Sequence, residues 1–129
     1  LSSAASDVYK RQALGPYFRA VVDSLDFFLQ RDDPARVVAM VRMLQAHAQM
    51  YRGLLFITVS TDGLSPNVKQ ELASIADMVL SFQVRTIGTD FETSMMVSKF
   101  RNAPENLKIL VFRVTPEEGI TPETVERIA

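Results

Sequence analysis

A chain of 129 residues is long enough to bury one core and too short for two ordinary domains. Its 47% hydrophobic and 22% charged content fits a packed protein, and 14 basic against 15 acidic residues leave no overall field that favours nucleic acid or an anionic membrane. The lack of cysteine excludes disulfides, thiolate catalysis and cysteine zinc sites, and one histidine makes a histidine metal cluster or relay hard to build.

In chain order, residues 1 to 12 open on Leu1 and carry no helical or strand period that continues into the rest of the chain. They lack the apolar core of a signal peptide and are similar to translated sequencing-adapter read-through, so they are set aside as a non-native tail. Phe18 to Asp23 is a β-branched run ending in an acid and predicts a buried strand. Ser24 to Gln30 has Leu25, Phe28 and Leu29 at helical spacing, which predicts a short helix. Asp33-Pro34 predicts a strong helix start, with Asp33 as cap and Pro34 at the first position. Val37, Val41, Leu44 and Ala48 then form an apolar stripe, with Met40, His47 and Tyr51 beside it. Gly53 is expected to end this helix in the left-handed C-terminal position.

Leu54 to Val59 is nearly continuous in apolar residues, the pattern of a strand covered on both faces. A loop with Asp62-Gly63 comes next, and Ser65-Pro66 predicts a second capped helix running to about Ala76. Three strands are then expected, at Met78–Val84, Phe91–Phe100 and Leu107–Val114, joined at Gly88-Thr89-Asp90 and Asn102–Asn106. Thr121-Pro122-Glu123 reads as the start of a helix cut short at Ala129, a natural frayed end being the alternative. Strand–helix–strand–helix–strand argues for a parallel sheet, extended at one edge by an antiparallel meander. The fold class is α/β. The longest apolar runs are far below the ~20 residues of a membrane span.

Three places could carry chemistry. Asp23 comes directly after an apolar strand and so lies at the carboxyl end of a parallel sheet, where a carboxylate can hold Mg²⁺ through water; the plain alternative is that it caps the next helix. Lys99 and Arg101, two apart on a strand, would project from one face as a fork for phosphate oxygens, or form an ordinary solvated face. Ser60 and Thr61, after the second apolar strand, could sense a phosphate or simply make a turn. His47 and the residues Met40, Met43, Met50, Met95 and Met96 read as packing residues. None of the four lysines is preceded by a glycine, so the 129 residues contain no G-x-x-x-x-G-K-[ST] phosphate loop, and G-x-G-x-x-G, G-x-S-x-G and H-E-x-x-H are absent too.

Taken together, Ala20-Val-Val-Asp-Ser-Leu25, Leu54-Leu-Phe-Ile-Thr-Val-Ser60, Ile75-Ala-Asp-Met-Val-Leu80, Val97-Ser-Lys-Phe-Arg101 and Val114-Thr-Pro-Glu-Glu-Gly-Ile120 occur in a telling order. From about Tyr17 onward the chain resembles the C-terminal half of a RecA-fold ATPase of the KaiC/RadA-like group, which includes archaeal signalling and gas-vesicle regulatory relatives. The resemblance implies a partial RecA-like P-loop NTPase core, with residues 13 to 129 as the C-terminal part of a single domain whose phosphate-loop half lies elsewhere. It implies Asp23 as the Walker B acid associated with Mg²⁺, Ser60 and Thr61 near the γ-phosphate of ATP, and Lys99 and Arg101 reaching a neighbouring subunit's nucleotide. The glycine usual after K-x-R is Asn102 here.

The resemblance further implies a cytoplasmic, regulatory or signal-transducing ATPase that forms a homo-oligomer through its nucleotide interfaces, with a signalling protein as a further partner. The fragment alone, without a phosphate loop, is not expected to hydrolyse ATP. Two alternatives stay open: a degenerate, non-catalytic RecA-like interaction module, and a DNA-recombination relative. Ser60 to Asn67 holds no Lys or Arg and does hold Asp62, which disfavours DNA.

Overall fold

The computed structural model describes residues 16–103 and 109–123. Residues 1–12, the Leu107 start of the third late strand, Lys108, and the stretch after Glu123 lie outside the described residues. The chain divides into two compact units, Leu1–Ala76 and Asp77–Ala129.

The first unit begins with β1 (Arg19–Val22), followed by the short helix α1 (Asp26–Leu29), the long helix α2 (Pro34–Met50), β2 (Leu54–Ile57) and α3 (Pro66–Ile75). Both long helices start as their sequences predict. The Asp33 carboxylate accepts the Ala35 N–H at 3.1 Å, and the Ser65 hydroxyl accepts the Val68 N–H at 3.3 Å. Strands β1 and β2 pair in parallel, Arg19 opposite Leu54 and Val22 opposite Ile57. The core lies between helices: Leu25, Val37, Val38, Val41 and Ile75 are buried together, with Phe28, Leu29, Met40, Ile57, Val59, Val68 and Leu72 packed against them.

Three expectations change here. The C-terminal turn of α2 is a Schellman motif in which Arg52, with φ 52°, occupies the left-handed position. The Gly53 N–H reaches back to the Ala48 carbonyl at 2.7 Å and the Arg52 N–H to Gln49 at 3.4 Å. Gly53 therefore sits one residue further on, and its missing side chain has another use. A Cβ there would lie 2.5 Å from the ring of Phe18, itself buried. Gly53→Ala is accordingly expected to destabilise by about 1–3 kcal/mol through overpacking; a melting temperature equal to wild type would show that Phe18 yields freely.

Second, among the described residues of its own unit β2 is covered on one face only. Ile57 packs into the core, whereas Leu54 and Phe56 are about half exposed (50% and 52%). Third, Met43 and Met50 are exposed because they fall on the face of α2 opposite the Val37–Val41–Leu44–Ala48 stripe. His47 is a packing residue as expected, 5.6 Å from the Phe18 ring and 4.6 Å from that of Tyr51.

The second unit is a four-stranded antiparallel meander, β3 (Met78–Ile87), β4 (Asp90–Phe100), β5 (Ile109–Thr115) and β6 (Gly119–Glu123), in that spatial order. The β3–β4 hairpin turns at Gly88, whose φ of 61° suits the first position of a two-residue hairpin loop. Its register slips at Val79/Leu80, where Ser98 is the extra residue and its hydroxyl donates to the Val79 carbonyl at 3.3 Å.

The predicted helix start at Thr121-Pro122-Glu123 is overturned: these residues end β6, Pro122 opposite Phe112 and Glu123 opposite Val111. Pro122 lacks an N–H and is tolerated because β6 is the edge strand. An ion pair between Arg113 and Glu123 ties β6 to β5. Among the described residues β3 pairs with β4 and not with β2, so the parallel pair and the meander are hydrogen-bonded as two sheets rather than one. Met96, expected on a buried strand, is partly exposed on one face of this sheet.

Candidate functional site

The carboxyl ends of β1 and β2 lie side by side because the strands are parallel and in register. The chain leaves β1 at Asp23, passes through a cis Asp23–Ser24 peptide bond, and enters α1; it leaves β2 at Thr58. Backbone hydrogen bonds hold the two exits together, the Thr58 N–H donating to the Val22 carbonyl at 3.0 Å and the Leu25 N–H to the Thr58 carbonyl at 2.9 Å.

Side chains extend the same connection. The Thr58 hydroxyl donates to Asp23 Oδ1 at 2.7 Å. The Asp26 carboxylate accepts the Ser60 N–H at 3.0 and 3.3 Å from its two oxygens. Ser24 Oγ accepts the Asp26 N–H at 3.0 Å. The helix-cap alternative for Asp23 is thereby answered: the hydroxyl of Ser24 serves the start of α1, and the Asp23 carboxylate is directed to Thr58. One of its oxygens is oriented by that bond while the residue stays exposed.

Of the other sequence candidates, Ser60 and Thr61 come after the same strand exit and are exposed. The Ser60 backbone is fixed by Asp26, and Thr61 accepts the Leu64 N–H through its carbonyl at 3.2 Å in a turn. Thr58 and Asp26 were missed by sequence reasoning. A hydroxyl directly after Leu54–Ile57 and an acid three residues beyond Asp23 were the available signals, but their pairing spans more than 30 residues of chain.

Lys99 and Arg101 belong to the second unit. β4 ends at Phe100, so Arg101 lies in the turn beyond the strand, where its N–H donates to the Asp77 carbonyl at 2.9 Å and its guanidinium pairs with the Asp77 carboxylate at 2.5 Å. The two cations therefore do not share a continuous strand, and one of them is already bonded to a carboxylate.

As a cation site the first unit's strand ends have the right donor type, hard oxygens of Asp23 and Thr58, and no Lys or Arg occurs in Asp23–Gln30 or Thr58–Pro66. Among the described residues no three His, Cys, Asp or Glu side chains converge on one point. The set fits Mg²⁺ held by one carboxylate through water, and does not fit a closed protein cage.

The fold is found in solved structures. The flagellar accessory protein FlaH of Methanocaldococcus jannaschii is similar with a TM-score of 0.53 and 20% identity, over 74% of this chain and 41% of its own. A KaiC-like protein of the hyperthermophilic archaeon Pyrococcus horikoshii is similar with a TM-score of 0.59 and 19% identity, over 81% of this chain and 46% of its own. The chain thus has part of a RecA-like α/β fold and spans less than half the length of these structures. The sequence has no match among curated proteins. Among the described residues no helix is long and apolar enough to cross a membrane. The model of a family of unknown function, DUF7125, matches residues 9–121, and the chain belongs to that family.

Proposed function

We propose that this chain is the C-terminal part of a cytoplasmic RecA-like ATP-binding protein with a regulatory or signal-transducing role, in which ATP and Mg²⁺ lie between neighbouring copies. The observation that carries the reading is the Asp23 carboxylate, held by Thr58 at the carboxyl end of two parallel strands and not consumed by helix capping. Ligands of open α/β sheets bind at this end. Asp23 would hold Mg²⁺ through water, with Ser60 and Thr61 on the adjoining strand exit near the terminal phosphate. Bound Mg²⁺ would neutralise phosphate charge. Phosphate-gripping backbone N–H groups would come from a phosphate loop, which these 129 residues do not contain. A signalling protein as output partner, and homo-oligomer formation through the nucleotide, belong to the same reading; DNA does not.

The test is Mg²⁺-dependent binding of a fluorescent ATP analogue and ATP turnover by the full-length protein. No Mg²⁺-dependent binding would end this reading.

In trans contacts by Lys99 and Arg101 have their own test. Arg101 pairs with Asp77 in its own unit. An exposed pair of this kind contributes about 0–1 kcal/mol, so Asp77→Ala is expected to leave stability nearly unchanged and turnover intact. Arg101→Ala is expected to lower turnover at least tenfold while sparing ATP binding. Identical behaviour of the two variants would reduce Arg101 to the partner of Asp77.

A further inference from the structure

The hydrogen-bond ladder between β1 and β2 stops where their chains part. Its last paired residues are Val22 and Ile57, and the Thr58 N–H still donates to the Val22 carbonyl at 3.0 Å. In a parallel ladder the next such donor comes two residues on, so the Ser60 N–H would meet the carbonyl of Ser24. It does not, because the chain after β1 has by then turned towards α1. The Asp26 carboxylate takes that carbonyl's place. It accepts the Ser60 N–H at 3.0 Å, and its second oxygen lies 3.3 Å from the same nitrogen.

The two partners are held very differently. Asp26 follows directly on Leu25, which is fully buried, and precedes Phe28 and Leu29, which pack on the same core. Its own N–H donates to Ser24 Oγ at 3.0 Å, and its carbonyl accepts the Gln30 N–H at 3.0 Å. Ser60 lies in the connection to α3. There the next backbone bond, from the Leu64 N–H to the Thr61 carbonyl, closes the loop on itself, and Gly63 turns with a φ of 76°. Among the described residues, Asp26 supplies the last hydrogen bond from the strand ends to this loop.

We propose that Asp26 is a positioning residue for the terminal phosphate of ATP. By holding the Ser60 backbone against the start of α1, it places Ser60 and Thr61 for the third phosphate and makes the site favour ATP over ADP. This role rests on the nucleotide reading of the same strand ends. Charge alone predicts the reverse: an acid near bound phosphates repels ATP, with its greater charge, more than ADP. On that ground, removing Asp26 would tighten ATP binding. Positioning has the opposite sign, because a loop released from α1 must be ordered again when the third phosphate binds, and that cost falls on ATP alone.

Titration calorimetry of the full-length protein with Mg²⁺ and either a non-hydrolysable ATP analogue or ADP tests this, together with amide hydrogen exchange of residues 58–64. Asp26→Ala is expected to weaken binding of the analogue about tenfold, the effect of one charge-assisted hydrogen bond, and that of ADP by less than about twofold. Without ligand the Ser60 amide should exchange about tenfold faster or more. The Mg²⁺ concentration for half-maximal binding should not move. Asp26→Asn keeps an acceptor oxygen but loses the charge, so it should weaken the analogue by only about threefold. Asp62→Asn removes a charge from the same loop without touching the bond, and should leave the preference for ATP as it is.

Equal loss of both nucleotides in Asp26→Ala, tighter binding of the analogue, or the same effect from Asp62→Asn overturns the proposal. So does unchanged exchange at Ser60, or a raised Mg²⁺ requirement, which would make Asp26 a metal acid instead. Should Asp26→Ala fail to melt cooperatively, Asp26→Asn decides by the same criteria. Absence of Mg²⁺-dependent binding by the wild-type protein is a separate result, which ends the nucleotide reading and this role with it.

Discussion

Leu25→Ala is expected to cost the first unit about 3–5 kcal/mol, the upper part of the range for a leucine removed from a core that cannot collapse onto the gap. Leu25 is fully buried and is the centre of the cluster formed with Val37, Val38, Val41 and Ile75. Those neighbours sit on helices α2 and α3, which pack against each other while α2 also packs on β2, so little relaxation is available. For a unit of this size each kcal/mol corresponds to roughly 4–8 °C of melting temperature. A drop of about 12 °C or more should therefore appear in a thermal melt. Met43→Ala is the matched control: its side chain is largely exposed, and its removal should change stability by less than about 0.5 kcal/mol. A Leu25→Ala melt within two degrees of wild type would mean that the helices are not packed on this residue.

The consequence reaches the site as well. The Leu25 N–H bonds the Thr58 carbonyl, and Thr58 in turn orients Asp23. Packing in the core and the geometry of the strand exits are thus coupled through three residues.

How much was legible in the sequence depended on how local each cause is. The caps at Asp33 and Ser65 involve atoms two or three residues apart, and both appear as read. The apolar stripe of α2 needs only a helical period, and Val37, Val41, Leu44 and Ala48 are buried. Gly53 misled because two constraints competed for one glycine. Close approach of the Phe18 ring used it, leaving Arg52 to take the left-handed turn. At Thr121-Pro122-Glu123 a sound local signal for a helix start lost to pairing with β5, which includes an Arg113–Glu123 ion pair spanning the hairpin.

The site divides in the same way. Asp23 was visible because an acid after an apolar strand is a short-range pattern. Thr58, Asp26 and the pairing of Arg101 with Asp77 were not, since each joins segments more than 20 residues apart. The Lys99–Arg101 fork assumed a strand that continued past Phe100, and the strand stops there.

Asp23→Asn should have the largest functional effect of any single change, a fall in Mg²⁺-dependent ATP turnover by the full-length protein of about 100-fold or more, the scale on which loss of one charge-stabilising group acts. Asparagine keeps the shape and the oxygen that accepts the Thr58 hydroxyl, so the strand exits should stay joined. The residue is exposed, and the melting temperature should move little. What the substitution removes is the negative charge, and with it the attraction for a hydrated Mg²⁺. Thr58→Val separates the other half of the arrangement. It keeps the carboxylate and deletes only its 2.7 Å hydrogen bond, so the charge remains but its orientation is free. That variant should lose about tenfold in turnover and need more Mg²⁺ to reach half its maximal rate. A Mg²⁺ titration of both variants at saturating ATP distinguishes the roles. If Asp23→Asn turns over ATP like wild type, the carboxylate does not serve the metal. If Thr58→Val is the more damaged of the two, the hydrogen bond matters for holding β1 and β2 together and not for aiming the charge.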